Sequence, residues 1–282
     1  MDNGFVKKNA FEPREGEILI DGVYCCGVCN HPVQYTIKAT GVTVRTKCNC
    51  EKIEADRKAE EERRQKTDNR REKAFEKKRS RRFEFTFAND DRRNPAASDT
   101  MKAYCANFDE NKKQGRGIIL HSSQNGGGKT YLACAVANDL IDRGYNVLVT
   151  DFLTLRDKLW DPKSFKDGNR VFVNKVDFLQ SLLSYDLIVL DDLGVEQSTE
   201  FMTEVEWRII DYLTDGIVPL IITTNYTLSE LRSDDNRDKR RVFDRILGSC
   251  ALLSVGQPNG KSRRVERCAE LTRELTAQGA GA

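Results

Sequence analysis

The chain has 282 residues, 39% of them hydrophobic and 32% charged, with a net charge of +2 at neutral pH. That length holds one full α/β domain plus a small accessory module, and no stretch approaches the roughly 18 uninterrupted apolar residues of a membrane helix. The opening segment, MDNGFVKKNAFEPREGEILI, lacks the apolar core of a secretory signal, so a cytoplasmic protein is expected.

Five of the nine cysteines fall between residues 25 and 50. Cys26 and Cys29 form a C-x-x-C knuckle and Cys48 and Cys50 a C-x-C pair, flanking an alternating segment, VQYTIKATGVTVRT, that predicts a β-hairpin turning at Gly41. Thiolates in this spacing suit tetrahedral Zn²⁺, and a module this small has too little apolar area to fold without a staple. A structural zinc ribbon on Cys26, Cys29, Cys48 and Cys50 is expected, with Cys25 and His31 as competing ligands. The alternatives are a redox C-x-x-C or buried thiols.

From Glu51 to Arg82 the chain carries 14 Lys or Arg against 9 Asp or Glu and no Gly or Pro, with almost no apolar stripe. Such a run predicts an exposed helix or a mobile linker. Its basic excess, concentrated toward Arg70 to Arg82, suits a nucleic-acid backbone, and a solvated helix laced with ion pairs explains it equally well. Phe83, Phe85 and Phe87 then alternate, placing a boundary near residue 83. The expected organisation is a zinc-ribbon module over residues 1–50, a charged helical linker over 51–82 and a larger domain over 83–282.

The segment SDTMKAYCANFDENKK predicts a helix whose Met101, Tyr104, Cys105 and Phe108 pack in the core. Next come a short apolar strand at 117–121, the loop SSQNGGGKT, and an amphipathic run closed by Gly144. Strand, glycine-rich loop and helix in that order predict a phosphate-binding P-loop. Consecutive glycines let backbone N–H groups turn toward phosphate oxygens at a helix N-terminus. The expected nucleotide contacts are Asn125, Gly126, Gly127, Gly128, Lys129, Thr130 and Tyr131. Lys129 would reach the β and γ phosphates, and the Thr130 hydroxyl would reach Mg²⁺. The first glycine of the G-x-x-x-x-G-K-[ST] pattern is replaced by Ser123, which predicts an altered loop entry with binding retained.

Four apolar residues from Leu187 to Leu190 predict a buried strand ending in Asp191 and Asp192. Asp191 is placed to hold magnesium through water, and Asp192 to orient or deprotonate the attacking water, with Glu196 in reserve. A further strand from Pro219 to Thr224 ends at Asn225, whose amide suits contact with the water or the γ phosphate. Strands near 118, 147, 188, 220 and 252, with helices between, predict a parallel sheet covered on both faces.

In order, GGGKTYLA, DLIVLDDLGVE, IITTNYTLSEL and RRVFDRILGSC resemble the DnaC/DnaI-type replicative helicase loaders, including phage versions, over about residues 83–265. The resemblance implies an AAA+ P-loop ATPase using ATP, Mg²⁺ and Zn²⁺. It further implies a hexameric replicative helicase and single-stranded DNA as partners, and an ATP site shared between self-associating subunits. By that resemblance Asn225 matches sensor 1 and Arg245 the arginine finger, with Arg241 as alternative. Arg264, in preference to Arg263, matches sensor 2. The cysteine module with its charged helix is similar to the helicase-contacting end of such loaders. A transposition-helper ATPase of the same fold, a nucleotide-gated switch and a zinc-dependent DNA-binding protein are the rival readings.

Overall fold

The computed structural model describes residues 11–279 except Gln124, Leu228 and residues 161–163, 167–168, 172–174, 195–199, 231–236 and 257–261. It divides into two units, one ending at Lys66 and one beginning at Thr67.

In the first unit, β1 (Glu17–Ile20) and β2 (Val23–Cys26) form one antiparallel hairpin. β3 (Gln34–Thr36) and β4 (Thr43–Arg45) form a second, pairing Gln34 with Arg45 and Thr36 with Thr43. Gly41 turns the second hairpin at a φ of 67°, in the left-handed region that glycine enters without steric cost. The hairpin expected from the alternating segment is therefore present; the first, contributing Cys26, was not foreseen. Among the described residues of this unit only Cys25, Val33 and Cys48 are buried, so it has almost no apolar core.

The 26-residue helix α1 (Asn49–Ala74) crosses the division between the units. Its exposed, charge-rich stretch ends where Arg71 packs into the second unit and Ala74 and Phe75 are buried. The packing division thus falls before Arg82, because the last turns of the charged run carry side chains that belong to the larger core.

The second unit is built on a five-stranded parallel sheet. Its strands are β5 (Gly117–His121), β6 (Val147–Thr150), β9 (Leu187–Leu193), β10 (Leu220–Thr224) and β11 (Cys250–Ser254), in spatial order β11-β5-β10-β9-β6. In sequence, a separate small antiparallel pair, β7 (Ser164–Lys166) and β8 (Asn169–Val171), comes between β6 and β9.

Period-two alternation sends Ile118, Leu120, Val147, Val149, Leu187 and Val189 to one face of the sheet. There they pack on α2 (Pro95–Ala106), α3 (Phe108–Lys113) and α4 (Lys129–Asp142). Ile119, Leu148, Ile188, Leu190 and Ile222 point the other way, onto α5 (Phe152–Trp160), α6 (Lys175–Leu182), α7 (Glu200–Asp215) and α8 (Arg237–Ser249). Helix α9 (Arg263–Gly279) follows β11. Both faces are covered, which explains why the strands read as continuous apolar runs. The single helix expected over SDTMKAYCANFDENKK is two helices broken at Asn107, although Met101, Tyr104, Cys105 and Phe108 are all buried as expected. Among the described residues no helix is long and apolar enough to cross a membrane.

Buried Asn138 on α4 fixes the chain entering this unit. Its amide donates to the carbonyls of Arg82 and Phe85, at 2.9 Å each, while its oxygen accepts from Arg71 Nε at 3.0 Å. Replacing Asn138 with alanine would leave those carbonyls short of donors in a dry site. It is expected to cost about 2–3 kcal/mol, read as a lowered denaturation midpoint. An unchanged midpoint would show that the clamp carries no stability.

Candidate functional site

Ligands of open parallel sheets gather at the carboxyl ends of the strands. Three adjacent strands, β5, β10 and β9, deliver side chains to that edge. After β5 the chain enters the glycine loop. Gly126 and Gly128 hold φ of 83° and 105°, and a Cβ on Gly127 would lie 2.8 Å from the Val255 carbonyl oxygen. The loop therefore demands glycine by conformation at two positions and by close backbone approach at the third. Ser123 is exposed and keeps a negative φ, so serine fits where the pattern has glycine.

The loop hands directly into α4, which begins at Lys129. Lys129 is only 6% exposed. Burial pulls its ammonium below the ordinary lysine range, with Asp192 opposing. The Thr130 hydroxyl donates to Asp191 Oδ1 at 2.9 Å, joining the loop helix to β9 across 61 positions of sequence.

The acidic pair does not end its strand, as expected, but sits inside it, since β9 runs on to Leu193. Ile222 of β10 pairs with Leu190 and Thr224 with Leu193, so Asp191 and Asp192 together oppose Thr223. This is a β-bulge, a device that re-aims side chains at a sheet rim. Thr223 staples it, its hydroxyl donating to Asp191 Oδ1 at 2.7 Å and accepting from the Asp192 amide at 2.8 Å. Burial first, and then the neighbouring Asp191, push the Asp192 carboxyl above the usual range.

Thr130 and Asp191 are hard oxygen donors held together, a set that fits a Mg²⁺-type cation binding through one or two protein ligands and water. Tyr131 and Asn125 flank the loop. Tyr131 stacks on Phe85 with centroids 4.8 Å apart and donates its hydroxyl to the Thr86 carbonyl at 2.9 Å, while Asn125 is exposed.

Helix α9 starts against the same loop. Arg263 Nε donates to Asp91 at 3.1 Å, its guanidinium lies 5.8 Å from the Tyr131 ring centroid, and Nη1 reaches the Gly127 carbonyl at 3.4 Å. Arg264 is the arginine whose charge is felt at both Lys129 and Asp192. Arg263 thus braces the loop, while the exposed Arg264 acts on Lys129 and Asp192 through its charge. Asn225 is half-buried one residue beyond β10.

Arg245 lies on α8, half-exposed, paired with Asp211 of α7 at 2.6 Å. The apolar stripe of α8 is Val242, Phe243 and Ile246. Arg241 is exposed beside it. Glu196 lies outside the described residues. Sequence reasoning missed Thr223, whose signal was a pair of threonines in an otherwise apolar strand. It also missed the loop partners Asp91 and Asn94, whose amide donates to the Gly127 carbonyl at 3.0 Å.

In the first unit the ligand sulfurs of Cys26, Cys29, Cys48 and Cys50 all lie within 4.8 Å of one another. Cys29 and Cys48 Sγ are 3.8 Å apart. That equals the edge of a tetrahedron with Zn–S bonds of about 2.3 Å, and is far beyond a disulfide bond. Backbone N–H groups of Val28 and Cys29 draw the Cys26 thiol down to about 7, and the His31 amide lowers Cys29, so the knuckle stabilises thiolate. The shared cluster pushes Cys50 up to about 12, led by its hydrogen bond with Cys29. Cys25 is buried with its thiol toward the Val23 carbonyl, and neither it nor His31 joins the four sulfurs.

The sequence model of the family described as "IstB-like ATP binding protein" matches residues 34–269. The replicative helicase loader DnaC of Escherichia coli K12 is 25% identical over 163 residues, 57% of this chain and 62% of that protein. The replicative helicase loader DnaI of Bacillus subtilis is 26% identical over 165 residues, 54% of this chain and 48% of that protein. The chain thus spans less than two thirds of the length of these curated relatives. A crystal structure of the DnaC helicase loader, 28% identical, superposes with a TM-score of 0.50 over 63% of this chain and all of that one. With a parallel α/β core of the AAA+ kind and a family match over most of its length, the chain belongs to the IstB-like ATP binding proteins.

Proposed function

We propose that this protein is an ATP-dependent loader of a hexameric replicative helicase, acting in the cytoplasm at the start of DNA replication. The observation that carries the reading is the hydroxyl of Thr130 on the carboxylate of Asp191, which joins the glycine loop to the acidic strand as Mg·ATP chemistry requires. The likeness to DnaC and DnaI supports the choice of helicase and single-stranded DNA as partners.

In this reading the amides of residues 125–131 and the Lys129 ammonium hold the phosphates. Thr130 and Asp191 hold Mg²⁺, which when bound neutralises charge on the phosphoryl oxygens. Asp192, its proton affinity raised by burial, receives a proton from or orients the attacking water, with Asn225 fixing that water's position. Arg264 braces the γ-phosphate side, and Arg245 serves the site of a neighbouring copy after leaving Asp211. A guanidinium supplied in this way contributes about 10³–10⁵ in rate, so Arg245→Ala is expected to leave nucleotide affinity intact and collapse assembly-dependent hydrolysis. Equal turnover in the variant and the parent would remove Arg245 from that role.

The cysteine module, holding Zn²⁺, supplies the helicase contact in this reading. Its exposed Leu19, Val28 and Tyr35 offer apolar surface that a partner would cover. Pull-down from the native host with ATP present is expected to recover a replicative helicase. The double substitution Leu19→Glu, Val28→Glu is expected to lose that capture while keeping nucleotide affinity. The family description favours one second reading, a transposition-helper ATPase, and recovery of a transposase in place of a helicase would establish it.

A further inference from the structure

Asp191 accepts three hydrogen bonds. Two, from Thr130 and Thr223, fall on Oδ1. The third comes from far outside the motif: Arg82, 109 residues upstream, places Nη2 2.8 Å from Oδ2. The Asp191 side chain is 5% exposed and that of Arg82 36%, so the ion pair forms at the inner edge of the site rather than on the surface.

The segment bearing Arg82 is held on the loop helix at several points. Ser80 caps the short turn Arg81–Glu84 by accepting from the Arg82 amide at 3.2 Å. Asn138 bonds the Arg82 and Phe85 carbonyls, and Tyr131, two residues past Lys129, stacks on Phe85 and bonds Thr86. A guanidinium is a cation that carries donors only. A divalent cation taken up between Thr130 and Asp191 would draw on the same carboxylate and be repelled by Arg82 within a few ångströms. The two cations are therefore antagonists at one acceptor. Binding linkage is reciprocal, so whatever releases Arg82 favours the metal, and the metal favours release of Arg82.

We propose that Arg82 is a built-in competitor of Mg²⁺ for Asp191, a positioning residue that links loading of the metal–nucleotide to the seating of residues 80–87. This rests on the reading of the site as one for Mg·nucleotide. In sequence the segment begins six residues after α1 ends at Ala74, so the state of the nucleotide site would be felt at the end of the charged connector.

The test uses the full chain, a fluorescent ADP analogue and a Mg²⁺ titration. In Arg82→Gln the Mg²⁺ concentration giving half-maximal binding is expected to fall about fivefold or more, the scale of losing one charge-assisted competitor. Arg82→Lys, which retains the charge, is expected to stay near the parent. Hydrogen exchange on the unmodified protein gives a readout that needs no variant: amides of residues 80–87 are expected to exchange faster with ADP and Mg²⁺ than with ADP and a chelator. A midpoint unchanged in Arg82→Gln would leave Arg82 a structural anchor and overturn the proposal. A raised midpoint would make it a direct phosphate contact and overturn it equally. Exchange at 80–87 indifferent to Mg²⁺ would do the same. If the parent itself bound the analogue no better with Mg²⁺ than without, the reading of the site would fall together with the proposal.

Discussion

Lys129→Ala is expected to weaken nucleotide binding at least about 100-fold while leaving the second unit folded, because a desolvated ammonium on phosphate is worth roughly 3 kcal/mol or more. The fold should survive for a reason visible around the lysine. Its loss would not orphan Asp191, which keeps Thr130, Thr223 and Arg82 as donors. The stability change should stay within about 1 kcal/mol, a shift of roughly 2–4 °C in Tm for a domain of this size. Isothermal titration with ATP and Mg²⁺, paired with a thermal melt, reads both quantities. Parent-like affinity in the variant would remove the glycine loop from the phosphate site.

Metal removal is expected to have the larger structural effect, confined to the first unit. With Val33 the only non-cysteine side chain buried there among the described residues, apolar burial cannot offset the entropy of ordering the two hairpins. Zinc thiolate modules draw about 10–16 kcal/mol of apparent folding energy from the metal. Chelation, or Cys29→Ser, should therefore erase exchange protection across β3 and β4. The melt of the parallel-sheet unit should be unaffected. Elemental analysis should find close to one zinc per chain, and a content near zero would refute the centre.

The parts legible in the sequence were those written locally. The glycine loop leading into a helix at Lys129, the apolar strand carrying two aspartates and the paired cysteines around a hairpin are each readable within a few residues. What the sequence did not reveal depends on tertiary pairing. Arg82 was one basic residue among many in the charged run, and only the clamp of Asn138 on the backbone of that segment brings it to Asp191. The bulge in β9 was invisible because it is defined by register against β10, a property of two strands and not of one. Likewise Asn107 breaks the helix before the P-loop although the apolar spacing continues to Phe108, because periodicity reports which residues face the core and is silent on where the axis turns. The choice among Cys25, His31 and the four assigned thiols also needed coordinates, since adjacent residues on a strand point to opposite sides.

The φ of 59° at Asp192 constrains how that residue can be probed. Left-handed backbone is tolerated by aspartate and asparagine and penalises most other side chains by about 1–2 kcal/mol. A replacement by alanine or glutamate would therefore combine a lost carboxylate with a distorted strand rim, and a loss of function would be ambiguous. Asp192→Asn keeps the backbone preference while discharging the carboxyl, so it alone separates the two causes.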